Sequence, residues 1–170
     1  SRRAARVDAN GDVVLLEDQD RGLWNRALSS EGSMLVERAL ADPAAPGPYA
    51  LQAAIAAVHA ESADAASTDW TQIIVLYTLL WEREPSPVVA LNRAVAIAMR
   101  DGPQAGLELI DALAATGDLD DYLWLHSARA RLLERSGRAD EARAAYRRAI
   151  DVAAQGADRR FLRKQLDALD

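Results

Sequence analysis

The chain contains no cysteine, a single lysine (Lys164) and only two histidines. Without cysteine there is no disulfide and no thiolate nucleophile or ligand, and a reducing compartment is the natural setting. The histidines, His59 and His126, fall on predicted helices far apart in sequence, in neither an HxxxH nor an HExxH arrangement. That is too little to predict a metal centre or a hydrolytic site. A Gly-rich phosphate loop and a GxSxG elbow are also missing. No apolar run approaches the roughly 18 residues of a membrane span, and the start Ser1-Arg2-Arg3-Ala4-Ala5-Arg6 has no apolar stretch behind it, so neither a membrane segment nor a signal peptide is expected. Positive charge is short too: the net charge of −6 has the wrong sign for a broad nucleic-acid face. These absences predict a cytoplasmic, non-catalytic protein with no metal, no cofactor and no direct grip on nucleic acid.

What is present is helix. Half the residues are hydrophobic and 27% are charged, ordinary values for a chain that buries one continuous core. The run Gly137-Arg138-Ala139-Asp140-Glu141-Ala142-Arg143-Ala144-Ala145-Tyr146-Arg147-Arg148-Ala149-Ile150 reads as the second half of a tetratricopeptide (TPR) unit, a Gly turn followed by small, aromatic and small residues at i, i+4 and i+7. Ala105, Leu109, Ala112 and Leu113 form a second copy 37 residues upstream, and Ile73, Tyr77 and Leu80 a looser third that stops at Pro85. Repeats of this length stack as helix pairs, because one pair alone cannot bury its apolar face. The expected fold is all-α: stacked antiparallel helical hairpins, about three degenerate TPR-like repeats plus a capping helix.

Residues 1–19 read as a connector and residues 20–170 as the helical domain, with Asn10-Gly11 as a tight turn inside the connector. Asp18 or Asp20 is expected to cap a first helix that buries Leu23, Trp24, Ala27, Leu28, Met34 and Leu35 and stops near Pro43. Pro46-Gly47-Pro48 opens the second helix, Thr68 caps the third, and Ser86-Pro87 starts the fourth. Asp101-Gly102-Pro103 separates the fourth from the fifth, which ends at Gly117. Asp120 and Asp121 begin the sixth and Ser136-Gly137 ends it, the seventh runs from Ala139 to Gln155, and a last helix from Asp158 to Leu169.

Several polar residues stand out. Glu17, Asp18 and Asp20 cluster ahead of the first helix, where carboxylates complement its positive end. Glu31 falls on the stripe expected to be buried, and a buried carboxylate needs a basic partner. His59 sits beside Val58 near a core face, which suits a structural or partner-contact role. The basic starts and ends, Arg2, Arg3 and Arg6, then Arg159, Arg160, Arg163 and Lys164, read as solvated helix faces. In a TPR stack the first helix of each pair lines a groove, which would take Asn92 and Val95 from the fourth helix and Trp124, Ser127, Arg131 and Arg135 from the sixth. A Trp beside an Arg there suits a protein or peptide anchor.

Longer literal runs point further. Leu15-Leu16-Glu17-Asp18-Gln19-Asp20-Arg21-Gly22-Leu23-Trp24-Asn25-Arg26-Ala27-Leu28 is one, and Gly47-Pro48-Tyr49-Ala50-Leu51-Gln52-Ala53-Ala54-Ile55-Ala56-Ala57-Val58-His59-Ala60 another. Thr68-Asp69-Trp70-Thr71-Gln72-Ile73 and Pro85-Ser86-Pro87-Val88-Val89-Ala90-Leu91-Asn92-Arg93-Ala94-Val95-Ala96 follow. Together they resemble the C-terminal, TPR-like extension of a group of bacterial extracytoplasmic-function sigma factors. Asn25 stands where an Asp is expected in that family's run. The resemblance implies a role in transcription initiation, with the sigma regions of the same polypeptide or core RNA polymerase as partners. The family's motif residues carry over at Asp18, Gln19, Asp20, Arg21 and Trp24, at Tyr49, Gln52 and His59, at Asp69, Trp70 and Gln72, and at Asn92 and Arg93, where identity alone fits packing as well as contact. The residues expected to touch a partner are Asp18, Gln19, Asp20, Arg21, Trp24, Glu31, Tyr49, Gln52, His59, Asn92, Trp124 and Arg131. A helical repeat domain that senses a small molecule is the alternative, and it requires a concave pocket with a few convergent polar groups.

Overall fold

A computed structural model describes residues 1–41, 46–154 and 156–169. Among them the chain is all-α, built from helical hairpins, and it divides into two compact units, Ser1–Pro85 and Ser86–Asp170.

The first unit opens without long regular structure. A 3-10 turn at Arg3–Ala5 leads into a tight reversal in which Val7 and Val13 form an isolated antiparallel bridge. Asp8 Oδ1 accepts from the backbone N–H groups of Asn10 and Asp12, at 2.8 and 3.0 Å, which places the turn at the expected Asn10-Gly11 pair. A second 3-10 turn, Arg21–Leu23, is capped by Asp20, whose side chain accepts from Gly22 N–H. The helix expected to run through this point does not. Trp24 is extended and buried, and α1 begins only at Arg26–Leu40, with Asn25 Oδ1 accepting from Leu28 N–H as its cap. Asn25 is therefore the residue that caps the start of α1.

The α1 stripe is also turned the other way. Leu23, Leu28, Met34 and Leu35 are 53–57% exposed, no residue of α1 is buried, and Glu31 lies in solvent instead of in a core. The half-buried positions are Ser29, Gly32, Ser33 and Val36, the i, i+3, i+4, i+7 offsets of one face, and they mark the side packed on α2. The expected stop near Pro43 lies outside the described residues. Next come α2 (Pro48–Glu61), with Pro48 at its first position, and α3 (Trp70–Arg83). Leu51, Ile55, Val58, Ile73, Ile74, Leu76 and Leu80 form the apolar layer between them. Asp69, not Thr68, caps α3 by accepting from Gln72 N–H at 2.9 Å.

The second unit is more regular. Helices α4 (Pro87–Asp101) and α5 (Pro103–Ala114) are joined through a single residue, Gly102, and α6 (Leu123–Arg135) pairs with α7 (Ala139–Val152). The α5–α6 and α4–α6 contacts stack one hairpin on the other, and α8 (Ala157–Asp167) closes the exposed side of α7. Residues Asp120 and Asp121 precede α6 instead of starting it, α5 ends before Gly117, and the expected end of the seventh helix at Gln155 is outside the described residues. The α6 terminus is closed by paired bonds from Gly137 N–H to Glu134 O and from Arg138 N–H to Leu133 O, with Gly137 at φ 72°, the backbone region that favours glycine.

The copy around Tyr146 holds: Ala142, Tyr146, Ala149 and Ile150 are all buried. The second copy is displaced by one residue. Leu109 is 43% exposed, and the buried positions are Gly106, Leu107 and Ile110. Gly106 corresponds to Ala142, Ile110 to Tyr146 and Ala94 to Ala130, each pair 36 residues apart. The reason for the shift is the closeness of α4 and α5. A Cβ on Gly106 would stand 2.4 Å from Ala98 Cβ and 2.9 Å from Ala94 O, so the smallest residue, not Ala105, takes the crossing point.

Candidate functional site

The run from Leu15 to Leu28 builds a polar clamp inside the first unit. Arg21 is 8% exposed. Its Nη1 donates to His59 O at 2.7 Å and to Ser62 O at 3.2 Å, and its Nη2 to Thr68 Oγ1 at 3.0 Å. His59 belongs to the last turn of α2 and Ser62 is its C-cap, at the end where the last carbonyls lack intrahelical partners and the helix dipole is negative. Arg21 is thus a C-terminal cap delivered from a segment 38 residues earlier in the chain. Thr68, buried for this purpose, passes the chain of bonds on by donating to Asp64 O at 2.8 Å. Burial lowers the affinity of the Arg21 guanidinium for its proton, and the charge of Asp64 acts in the opposite sense. Asp64 is itself held ionised by the N–H and hydroxyl of Ser67.

Two guanidinium groups lie over the Trp24 ring, Arg21 at 5.2 Å and Arg2 at 5.5 Å from its centre. Arg2 is half-buried, so this part of the basic start is not the solvated face expected of it. Asn25 N–H donates to Ser1 O at 3.0 Å, which ties the first residue to the start of α1. On the far side, His59 meets Trp70 edge-on at 5.4 Å between ring centres, and Trp70 Nε1 donates to Ala65 O. Burial, followed by the nearby charges of Arg21 and Arg2, pushes the His59 imidazole down to about 4, so it is neutral near pH 7. Its Nδ1 and the indole Nε1 of Trp24 are buried without a hydrogen-bond partner.

The residues expected to contact a partner therefore part company. Arg21, Trp24 and His59 converge and are spent on the chain's own fold. Gln19 donates through Nε2 to Val14 O, and Asp20 caps the 3-10 turn. Asp18 is exposed beside them. Glu31, Tyr49 and Gln52 point into solvent on α1 and α2, with Tyr49 at 87% exposure. Gln52, Ala53 and Ala56 continue that exposed strip of α2 from Tyr49.

In the second unit, Asn92 is exposed, Trp124 is half-buried, and Arg131 donates through Nη1 to Gln165 Oε1 on α8 at 3.3 Å. Of the other expected groove residues, Val95 is half-buried, Ser127 is buried, and Arg135 Nη1 lies 3.1 Å from Met99 Sδ. Among the described residues no group of three or more His, Asp or Glu side chains is arranged to hold a metal ion, and no helix is long and apolar enough to cross a membrane. Sequence reasoning missed Arg2 and the acceptor role of Thr68. Both partnerships are long-range; the one local signal was an aromatic, Trp24, flanked by basic residues on each side.

Residues 1–40 match a family of unknown function, DUF6596. Over 169 residues the chain is 47% identical to an uncharacterized protein of Rhizobium meliloti (strain 1021), an alignment that takes in 99% of this chain and 39% of the relative. The chain thus spans about two fifths of the length of that relative. No solved structure matches.

Proposed function

We propose that the chain is a non-catalytic regulatory and protein-interaction domain of an extracytoplasmic-function sigma factor, acting in the cytoplasm in transcription initiation. Its partners are the sigma regions of the same polypeptide, core RNA polymerase, or both. The family resemblance supplies the setting, and one observation carries the interaction role: Tyr49 is 87% exposed, while His59 of the same resembling run and Arg21 and Trp24 of the run before it are buried. An exposed aromatic followed along the helix by Gln52 and by two alanines gives a partner helix a ring to pack on and room to come close. The clamp supports the reading in a second way. It fastens the segment from Ser1 onward to α2 and α3, so a load on that segment is passed to the helices.

Titration calorimetry of this chain against the sigma regions, and separately against core RNA polymerase, tests the role. Binding to at least one is expected, and Tyr49→Ala should weaken it about 10-fold or more with the circular dichroism unchanged. Silence with both partners overturns the reading; undiminished binding by Tyr49→Ala overturns only its placement on α2. Arg21 is unsuited to this test, because its charge reversal would open α2 before it reported on docking.

A further inference from the structure

The side of α1 that faces away from α2 carries Ala27, Leu28, Glu31, Met34, Leu35 and Arg38, all exposed. Their offsets of i, i+1, i+4, i+7, i+8 and i+11 make one continuous strip, the seam of a helix that packs against another helix. An apolar strip left open in this way marks an interaction surface, and its two charges indicate what covers it. Glu31 and Arg38 have opposite sign, neither makes an ion pair or hydrogen bond among the described residues, and Met34 and Leu35 sit midway between them.

That arrangement is its own complement. Laid antiparallel against a second α1, with a twofold axis passing between Met34 and Leu35, the strip sets Glu31 against the partner's Arg38 and Arg38 against the partner's Glu31. Leu35 then meets the partner's Met34. The parallel alternative sets Glu31 against Glu31 and Arg38 against Arg38, and both contacts repel. We propose that two copies of this chain associate through α1 in this antiparallel, twofold manner. The surface is distinct from the Tyr49 strip of α2 and does not depend on the sigma-factor reading.

The size of the seam sets the strength. Helix α1 has 15 residues, about 22 Å of length, and one helix pair of that length falls short of the roughly 1,200 Å² buried in stable complexes. The dimer is accordingly weak and reversible, with a Kd of roughly tens to hundreds of micromolar, and it loosens as salt rises.

Sedimentation velocity over a concentration series, with circular dichroism as the check on folding, is the test. The wild-type chain is expected to move from monomer to dimer. E31R and R38E should each be monomeric, because each sets like charges together twice. Mixing the two should restore a 1:1 heterodimer at least as tight as the wild-type dimer, since both crossings are then of opposite sign, and the double variant E31R/R38E should self-associate. A wild-type chain that stays monomeric up to about 1 mM overturns the proposal, as does a mixture of the single variants that fails to pair. Loss of sigma-region binding in E31R without any self-association of the wild type would assign the strip to that partner instead.

Discussion

The two halves of this molecule hold their helices by different means. In Ser86–Asp170 the helices approach through small residues at Ala94, Gly106, Ala130 and Ala142, with Ile110 and Tyr146 filling the space beside them. Polar links such as Arg129–Asp111 and Arg131–Gln165 lie outside that buried apolar layer. In Ser1–Pro85 the α2–α3 hairpin has an apolar layer too, but its open end is closed by one guanidinium spanning 38, 41 and 47 residues of chain. A regular repeat can be assembled from adjacent pieces, each covering the last. An irregular end must be fastened, and the fastening is polar because what it closes is a helix terminus.

The sharpest way to break the contrast is Arg21→Ala. It leaves His59 O, Ser62 O and Thr68 Oγ1 without their donor inside the fold, and the expected cost is about 3–5 kcal/mol. Hydrogen exchange should show α2 and α3 amides losing protection while α6 and α7 amides keep theirs. Arg21→Lys should recover only part, since an ammonium lacks the planar fork that serves three acceptors. Equal loss in both units would erase the distinction. The mirror experiment is Gly106→Ala. Its new Cβ would sit 2.4 Å from Ala98 Cβ, for an expected loss of about 1–3 kcal/mol even after the better helix propensity of Ala, now confined to the second unit. A neutral result in chemical denaturation would show that α4 and α5 can part at no cost.

The smallest effect is a pH dependence. Folded His59 has its affinity for a proton lowered from the usual 6.5 to about 4, so between those values the unfolded chain binds more protons than the folded one. Stability from this group is complete above pH 6.5 and falls as pH drops toward 4, by about 1 kcal/mol per pH unit at most once partial solvent access is allowed for. His59→Gln should flatten that slope in urea titrations at pH 4.5 and 6.5; an unchanged slope would place the proton uptake elsewhere.

The helical class and most helix positions were legible because periodicity and turn residues are local. The Tyr146 repeat, the openings at Pro48 and Pro87, and the stop at Gly137 all appear where the sequence put them. Three misreadings have physical causes. Ala105 and Gly106 are both small, and only the distance to α4 says which one stands at the crossing. Thr68 and Asp69 are both good caps, and Thr68 was already committed to Arg21. The α1 stripe reads as core because periodicity reports that a helix has two faces, not which of them this chain covers. The clamp itself lay out of reach, since nothing in Leu15–Leu28 states that a partner waits 38 residues downstream.

That distance also orders events in time. Hairpins such as α6–α7 close over a few residues and can form quickly wherever the chain has them, whereas loops the length of the clamp lose entropy before any contact repays it. Arg21 leaves the ribosome ahead of both helices that it fastens, and must stay solvated and unengaged until α2 has been wound and Thr68 has followed. The part of the clamp that is made first has to wait for the parts that are made last.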